Sequence, residues 1–215
     1  MIRAVLFDLD GTFADTAPDL GYAVNLMRLA RGLTPVPEEQ TRPVTSSGAR
    51  GLLGAGFGIT PAHPDYLAMR DEFLNHYEAN LCRETRLFDG MATLVDALES
   101  RALAWGIVTN KAERFALPLM KLLGYATRSA CIIGGDTTGK LKPHPEPLYA
   151  ATRAINVEPE ACIYVGDDER DIQAGRAAGM QTIAVRYGYL NGSDPATWGA
   201  NAVINTPMEA LQFVA

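Results

Sequence analysis

The chain has 215 residues, a formal net charge of −6 and 47% hydrophobic residues, which is an ordinary globular composition. The acidic balance, with no basic stripe, argues against nucleic acid as a partner, but not against an anionic small molecule, because a bound cation can reverse the local field. Three scattered cysteines, without a CxxC or Cys/His cluster, and the lack of a long apolar run predict a soluble, cytoplasmic protein with reduced thiols and no membrane partner.

Short apolar runs alternate with amphipathic segments along most of the chain, a pattern typical of a parallel sheet covered by helices. The predicted strands are 2–7, 103–108, 130–133, 161–165, 181–185 and 202–204. The predicted helices between them include 91–101, 114–123, 146–155 and 172–178. Gly124 and Gly179 follow apolar periodic stretches and are predicted helix stops. We therefore expect an α/β fold with a doubly wound, mainly parallel Rossmann-like sheet.

The stretch from about residue 16 to about residue 86 shows helical patterns and no convincing strand. Its first predicted helix begins at Thr16, with Pro18 in the first turn and Asp19 three residues on, a spacing that resembles a capping box. Further helices are predicted at 47–53 and 64–81. This indicates a small all-α cap inserted after the first strand, with a cap domain over 15–87 and a core domain over 1–14 and 88–215.

Two carboxylates follow the first predicted strand. Asp8 and Asp10 begin on the same side of that strand, at the carboxyl end of the sheet, where open α/β sheets bind ligands. Gly11 lets the chain turn there. Asp10 and Gly11 alone are also an ordinary turn signal. A turn does not explain Asp8, because two close carboxylates repel each other unless a cation joins them.

A second acidic cluster follows the predicted strand 161–165. Asp167 and Asp168 come directly after Gly166, and Asp171 lies one helical turn further along, where it could orient the loop. The helix dipole also favours acids at a helix start, which accounts for Asp168 but not for acid at two separate strand ends. Oxygen ligands without His or Cys suit a hard cation such as Mg²⁺.

Two other segments carry groups suited to a phosphate. Thr109 and Asn110 follow the predicted strand 103–108 and precede a helix whose backbone N–H groups are free, which makes a plausible phosphate cradle. Thr and Asn at a strand end are also ordinary cap residues. Lys142 lies in a loop stiffened by alternating prolines, and this is less typical of a solvated surface lysine.

These segments, in this order, resemble the four motifs of the haloacid dehalogenase superfamily over essentially the whole chain. The motifs are Asp8-Leu9-Asp10-Gly11-Thr12, Thr109, Lys142 and Gly166-Asp167-Asp168. The helical insert is similar to the C1 cap of the phosphoglycolate phosphatase-like branch. Phe13 departs from the family, which more often has a smaller aliphatic residue there, and we expect it to flank the site and reshape the cap hinge.

The resemblance implies a Mg²⁺-dependent phosphatase. Asp8 would be the nucleophile that forms an aspartyl-phosphate, Asp10 the general acid and then base, and Lys142 the neutralising cation. The implied magnesium ligands are Asp8, Asp10 through its carbonyl, and Asp167, with Asp168 and Asp171 around them. The implied phosphate-binding residues are Thr109, Asn110, Gly11 and Thr12. Asp15 would belong to the turn that couples cap movement to the site, and His144 would be structural, since Asp10 fills the acid–base role.

Longer likenesses at 46–50, 109–115, 165–172 and 184–189 are similar to phosphatases of bacterial cell-wall sugar recycling. They imply N-acetylmuramic acid 6-phosphate as the substrate. Arg50, beside Ser47 and Gly48 in the cap, is the candidate for specificity, because a forked guanidinium suits the substrate's carboxylate. The alternative for Arg50 is a solvated arginine on a helix.

Other functions stay open on the same fold. They are a phosphoglycolate phosphatase, a phosphosugar mutase that returns phosphate to a sugar, and a non-catalytic binding protein. Dehalogenases and phosphonatases lack an acid equivalent to Asp10, so the sequence argues against both. We expect a small phosphorylated metabolite as the partner, and a monomer or weak homodimer.

Overall fold

The computed structural model describes residues 1–214 as an α/β fold. Its strands are β1 (Ala4–Phe7), β2 (Ala14–Asp15), β3 (Arg86–Leu87), β4 (Ala104–Val108), β5 (Cys131–Ile133), β6 (Cys162–Gly166), β7 (Gln181–Val185) and β8 (Ala202–Ile204). Its α-helices are α1 (Ala17–Ala30), α2 (Glu38–Thr41), α3 (Gly48–Phe57), α4 (Tyr66–Ala79), α5 (Met91–Ser100), α6 (Glu113–Leu122), α7 (Glu146–Ile155) and α8 (Glu169–Ala177). Short 3₁₀ helices lie at Arg42–Ser47, Pro159–Ala161, Pro195–Thr197 and Pro207–Phe213.

Six strands form one parallel sheet in the order β5-β4-β1-β6-β7-β8. All four residues of β1 are buried, because helices cover both faces of this central strand. The six predicted strands and the predicted doubly wound sheet are confirmed. Gly124 and Gly179 have φ values of 84° and 80°, the left-handed conformation expected at a helix stop. Among residues 1–214, no helix is both long and apolar enough to cross a membrane.

The sheet order decides which loops meet. β1 pairs with β4 on one side and β6 on the other, with Phe7 opposite both Ile107 and Val165. All three strands are parallel, so their carboxyl ends lie side by side at one edge of the sheet. Asp8 and Asp167 follow two of these strands, and both therefore lie at the same edge.

Helices α1 to α4 lie between two short connections to the sheet, and α1 packs against both α3 and α4. The two connections pair as an antiparallel ribbon, with Ala14 opposite Leu87 and Asp15 opposite Arg86. Sequence analysis did not predict this ribbon, because two residues per strand are too few to show an alternating pattern. The division into a core and a cap domain stays a prediction.

The predicted capping box at the start of α1 is wrong, because the Thr16 side chain does not cap the helix. The hydroxyl of Thr16 donates to Oδ1 of Asp10 at 2.6 Å instead of capping the helix. The backbone N–H groups of Thr16 and Ala17 donate to the hydroxyl of Tyr189, at 2.7 and 2.9 Å. A tyrosine from a distant loop thus replaces the local cap and ties α1 to the sheet.

Asp19 has a different role from the predicted one. Its fully buried carboxylate accepts hydrogen bonds from the backbone N–H groups of Arg83, Glu84 and Thr85 and from the Thr85 hydroxyl, at 2.7 to 3.2 Å. These residues belong to the chain that returns from α4 to the sheet. The first turn of α1 therefore holds the second connection in place.

Phe13 lies in the core and does not flank the site. Its ring is fully buried and stacks on Trp105 with a centroid distance of 5.4 Å, with Phe7 and Tyr125 nearby. The carbonyl of Phe13 accepts a weak hydrogen bond, 3.4 Å, from the N–H of Phe88 in the second connection. Its aromatic ring thus replaces a smaller side chain as part of an aromatic cluster beneath the first loop.

Candidate active site

A cavity of about 390 Å³ lies between the carboxyl edge of the sheet and the helices α1 to α4. That volume is in the range of small-molecule sites. The loops at the sheet edge contribute charged and polar residues to its lining, among them Asp8, Asp10, Thr109, Lys111 and Lys142. Helices α1 and α4 contribute mainly apolar and aromatic residues, among them Leu20, Phe73, Leu74 and Tyr77. The cavity therefore has a charged floor and a largely apolar roof.

Lys142 forms the centre of the floor, and its side chain is only 3% exposed. Its Nζ lies 2.7 Å from Oδ1 of both Asp8 and Asp171. Nζ also donates to the Tyr164 hydroxyl at 2.7 Å and the Val108 carbonyl at 3.1 Å. Burial lowers the pKa of Lys142, but the charges of Asp171 and Asp8 outweigh burial and raise it. The ammonium group therefore stays charged beside Asp8.

Asp167 completes a cluster of three buried acids with Asp8 and Asp171. One oxygen from each lies within 4.8 Å of the others. Asp167 accepts hydrogen bonds from the Thr12 hydroxyl at 3.0 Å and from the Tyr189 N–H at 2.8 Å. The Lys142 ammonium group pairs with Asp8 and Asp171 only, so one cation stands against three buried carboxylates, and the cluster has an excess of negative charge that a hard divalent cation would balance.

The cluster makes the metal-free protein sensitive to pH. Burial raises the pKa of Asp171 to about 7 against the opposing charge of Lys142, and burial together with the charges of Asp8 and Asp171 raises the pKa of Asp167 well above its usual value. The folded state thus binds these protons more tightly than the unfolded chain, where Asp has a pKa of about 3.9. The resulting stabilisation is complete below about pH 4 and is lost as the pH rises through about 7.

We expect the Tm measured in EDTA to fall by several degrees between about pH 5 and about pH 8, because the acids then ionise without a counter-ion. Saturating Mg²⁺ should restore most of the loss at the higher pH, since a ligand that binds only the folded state stabilises it. Differential scanning fluorimetry in the two buffers measures both effects. A Tm in EDTA that stays constant or rises over this interval would contradict the charge excess.

Asp10 is held by groups from two directions. Its Oδ1 accepts from the Thr16 hydroxyl at 2.6 Å and from Nζ of Lys111 at 2.7 Å. Burial lowers the pKa of Lys111, but the charge and hydrogen bond of Asp10, together with Tyr77, outweigh burial and raise this pKa. Nζ also lies 4.5 Å from the ring centroid of Tyr77 in α4. Sequence analysis did not single out Lys111, although it follows Thr109 and Asn110 directly.

The predicted phosphate-binding residues separate into two groups. Thr109 lies at the cavity, 2% exposed. Oδ1 of Asn110 accepts from the backbone N–H of Lys142 at 2.9 Å, and Nδ2 of Asn110 donates to the Lys142 carbonyl at 3.0 Å. The Asn110 side chain therefore positions the loop that carries Lys142. Thr12 is fully buried and donates to Asp167, and neither it nor Gly11 lines the cavity. Asn110 also lines the cavity, and its contact with a phosphate stays a prediction, whereas the Thr12 hydroxyl is directed at Asp167.

Gly11 has φ of 86°, and a Cβ there would collide with the Asp167 carboxylate and lie 2.8 Å from the ring of Tyr189. Gly11→Ala should therefore displace Asp167, reduce the phosphatase activity that the sequence predicts at least about tenfold, and destabilise the protein by more than the backbone strain of about 1–3 kcal/mol. Gly32→Ala is the matched control, because Gly32 has φ of 70° and nothing lies within 4 Å of its added Cβ. Equal Tm shifts in thermal melts of the two variants would show that the collision is unimportant.

Asp168 and Arg170 connect the acid loop to the cap. Asp168 caps α8 and forms a capping box with Asp171. Arg170 donates to both oxygens of Asp168 at 2.8 Å and to the carbonyl of Ser46 at 2.8 Å. The Ser46 hydroxyl lies 3.4 Å from Asp167, close to the limit for a hydrogen bond. The segment Arg42–Ser47 therefore contacts the loop that carries the acids directly.

Of the three residues predicted to contact the substrate from the cap, two line the cavity and one does not. Ser47 and Gly48 line the cavity, but Arg50 is exposed and does not. Arg50 lies on the outer side of α3, because two residues along a helix turn the side chain well away from the face that Gly48 presents. The structure thus favours the solvated alternative for Arg50. His144 is exposed, and its Nδ1 accepts from the N–H of Glu146 at 3.1 Å; its structural role stays a prediction.

Tyr189 is a connecting residue that sequence analysis did not assign a role. Its N–H holds Asp167, and its hydroxyl donates to Asp15 at 2.7 Å beside the start of α1. Asp15 also forms an ion pair with Arg42 at 2.9 Å, and the Arg42 guanidinium lies over the Tyr189 ring. Asp15 therefore lies where the first connection meets the start of α1, and its role in coupling cap movement to the site stays a prediction. No sequence pattern marks Tyr189, because all of these contacts are long-range.

A family model for haloacid dehalogenase-like hydrolases matches residues 5–185. The N-acetylmuramic acid 6-phosphate phosphatase of Pseudomonas aeruginosa is 44% identical over 214 residues, covering 99% of this chain and 95% of that protein. A phosphoglycolate phosphatase of Xanthomonas campestris pv. campestris is 47% identical over 209 residues, covering 95% and 93%. The crystal structure of a predicted phosphoglycolate phosphatase from Haemophilus somnus superposes with a TM-score of 0.88 at 24% identity, covers 100% of this chain and 98% of that one, and supports the fold. The chain belongs to the haloacid dehalogenase-like hydrolases.

Proposed function

We propose that this protein is a Mg²⁺-dependent phosphomonoester hydrolase that acts through an aspartyl-phosphate on a small phosphorylated metabolite. The observation that carries the proposal is the floor of the cavity, where Asp8 is 2.7 Å from the buried Lys142 and shares a cluster with Asp167 and Asp171. A carboxylate beside a fixed cation can attack the phosphorus of a phosphate group whose negatively charged oxygens would otherwise repel it.

In the proposed reaction an oxygen of Asp8 attacks phosphorus, and the bond from phosphorus to the leaving oxygen breaks. Asp10 donates its proton to that oxygen, which leaves as an alcohol. Asp10 then takes a proton from water, and the water oxygen attacks the aspartyl-phosphate to release phosphate and restore Asp8. Thr16 and Lys111 hold Asp10 at the position from which it exchanges these protons. Lys142 offsets negative charge at Asp8 and at the transferring group.

The residues present fit a hard divalent cation. Asp8 and Asp167, together with the Asp10 carbonyl, are the ligands that we propose, since all three supply oxygen atoms. Oδ1 of Asp171 pairs with Lys142 and its Oδ2 accepts from the N–H of Asp168, so we assign Asp171 to positioning. When bound, Mg²⁺ supplies positive charge that offsets the charge of the phosphate and of the three acids.

N-acetylmuramic acid 6-phosphate is the substrate that we propose, and Pseudomonas relatives that bear this substrate's name support it at 44% and 46% identity. A cavity of about 390 Å³ with an apolar roof suits a sugar ring with its substituents. Phosphoglycolate is the second candidate, because Xanthomonas relatives at 47% identity are named for it. It is much smaller than the cavity and offers no ring to the roof.

Phosphate release from purified protein with Mg²⁺ tests the proposal across N-acetylmuramic acid 6-phosphate, phosphoglycolate, hexose phosphates and an aryl phosphate. We expect the highest kcat/KM for N-acetylmuramic acid 6-phosphate, and no activity in EDTA. Release that requires an added sugar bisphosphate would indicate a mutase. Binding of phosphate esters without any turnover would indicate a non-catalytic protein, and would overturn the proposed function.

A further inference from the structure

The cationic side chains that line the cavity differ in whether they have an acidic partner. Four of its lining residues are cationic, and three of these are paired with acids. Lys142 pairs with Asp8 and Asp171, Lys111 with Asp10, and Arg170 with Asp168. The fourth is Arg114, which forms no ion pair within residues 1–214.

Arg114 lies in the first turn of α6, directly after the loop that carries Thr109 and Lys111. Its guanidinium lies 4.4 Å from the ring centroid of Phe115, which is itself a lining residue. The N-terminus of α6 adds the positive end of the helix dipole to the charge of Arg114. Three features thus coincide at the cavity wall: an unpaired cation, an aromatic surface beside it and a favourable dipole.

We propose that Arg114 is a specificity-determining residue that binds a carboxylate on the organic part of the substrate. The inference rests on the proposed function and deepens it, because it limits the substrates to phosphate esters that carry a second anionic group. The planar guanidinium offers two parallel N–H donors, which match the two oxygens of a carboxylate. In the proposed reaction the phosphate lies at the floor beside Asp8 and Lys142. Arg114 is a separate cation, so the phosphate and the carboxylate would bind to different groups.

Arg50, the candidate from the sequence, is the natural comparison. Both side chains are exposed arginines near the start of a helix, but Arg114 lines the cavity and Arg50 does not. The same substitution at the two positions therefore separates loss of a cavity contact from loss of one surface charge. Arg114→Lys adds a further step, since it keeps the charge and loses the fork.

The test compares N-acetylmuramic acid 6-phosphate with N-acetylglucosamine 6-phosphate, the same sugar phosphate without the lactyl carboxylate. For Arg114→Gln we expect kcat/KM to fall about 10- to 100-fold on the first substrate and less than about twofold on the second. Arg114→Lys should lie between Arg114→Gln and the unchanged protein on the first substrate. Arg50→Gln should leave the ratio of the two rates unchanged.

Equal losses of kcat/KM on both sugar phosphates in Arg114→Gln would overturn the inference and assign Arg114 a structural role. A change in the ratio of the two kcat/KM values in Arg50→Gln, with none in Arg114→Gln, would overturn it too. If the unchanged protein hydrolyses p-nitrophenyl phosphate but discriminates against carboxylate-bearing esters, the phosphatase stands and the assignment of Arg114 fails. If it hydrolyses no phosphate ester, the proposed function fails first.

Discussion

Asp8→Asn should reduce Mg²⁺-dependent hydrolysis of any phosphate ester by at least about 10³-fold, because an amide cannot form the aspartyl-phosphate. The same change should raise the Tm of the metal-free protein by a few degrees. Asp8 is one of three buried acids in a cluster whose one cation, Lys142, pairs with Asp8 and Asp171, so removal of the Asp8 charge relieves repulsion with Asp167 and Asp171. Steady-state phosphate release and thermal melts in EDTA measure the two effects.

Asp96→Asn is the matched control for this variant. It makes the same Asp-to-Asn substitution on α5, at a side chain that is 67% exposed and pairs with Arg128. We expect normal activity and a change in stability below about 0.5 kcal/mol, as is usual for surface substitutions. Substantial turnover in Asp8→Asn would exclude Asp8 as the nucleophile. A marked drop in its metal-free Tm would instead show that the cluster is already balanced.

Lys142→Met should have the largest effect on folding. The side chain is 3% exposed, and its ammonium group compensates both Asp8 and Asp171. Removal of one partner from a buried ion pair costs about 3–5 kcal/mol, because the remaining charges are left uncompensated. We expect urea denaturation in EDTA to show a loss of this order. Mg²⁺ should recover part of the stability, and phosphatase activity should be lost in both conditions.

Lys140→Met controls for the hydrophobic substitution itself, since Lys140 is exposed in the same loop. Its stability should differ from that of the unchanged protein by less than about 0.5 kcal/mol. If Lys142→Met were no less stable than Lys140→Met, the ion pairs at the cavity floor would be energetically unimportant. Full activity in Lys142→Met would remove the lysine from the proposed reaction.

Much of the candidate site was predictable from the chain because it lies at strand ends. Asp8, Thr109 and Asp167 each follow an apolar run, and a parallel sheet places the carboxyl ends of its strands at one edge. The backbone of the sheet thus turns three local patterns into one cluster. The same argument explains why the six main strands were found, while the two-residue ribbon of β2 and β3 was not.

Other parts of the site required tertiary packing, because they depend on which way a side chain points from its element. The sequence singled out Arg50, and only the positions of α3 and α6 in the folded chain place Arg114, and not Arg50, at the cavity. Tyr189 bonds to Asp167, Asp15 and the start of α1 across more than 20 residues each, and none of these contacts leaves a local pattern. The sequence by itself predicts groups that lie near each other along the chain, because residue type and hydrophobic periodicity mark them. Groups that packing brings together are identified only from the tertiary structure, because their contacts depend on where each side chain points.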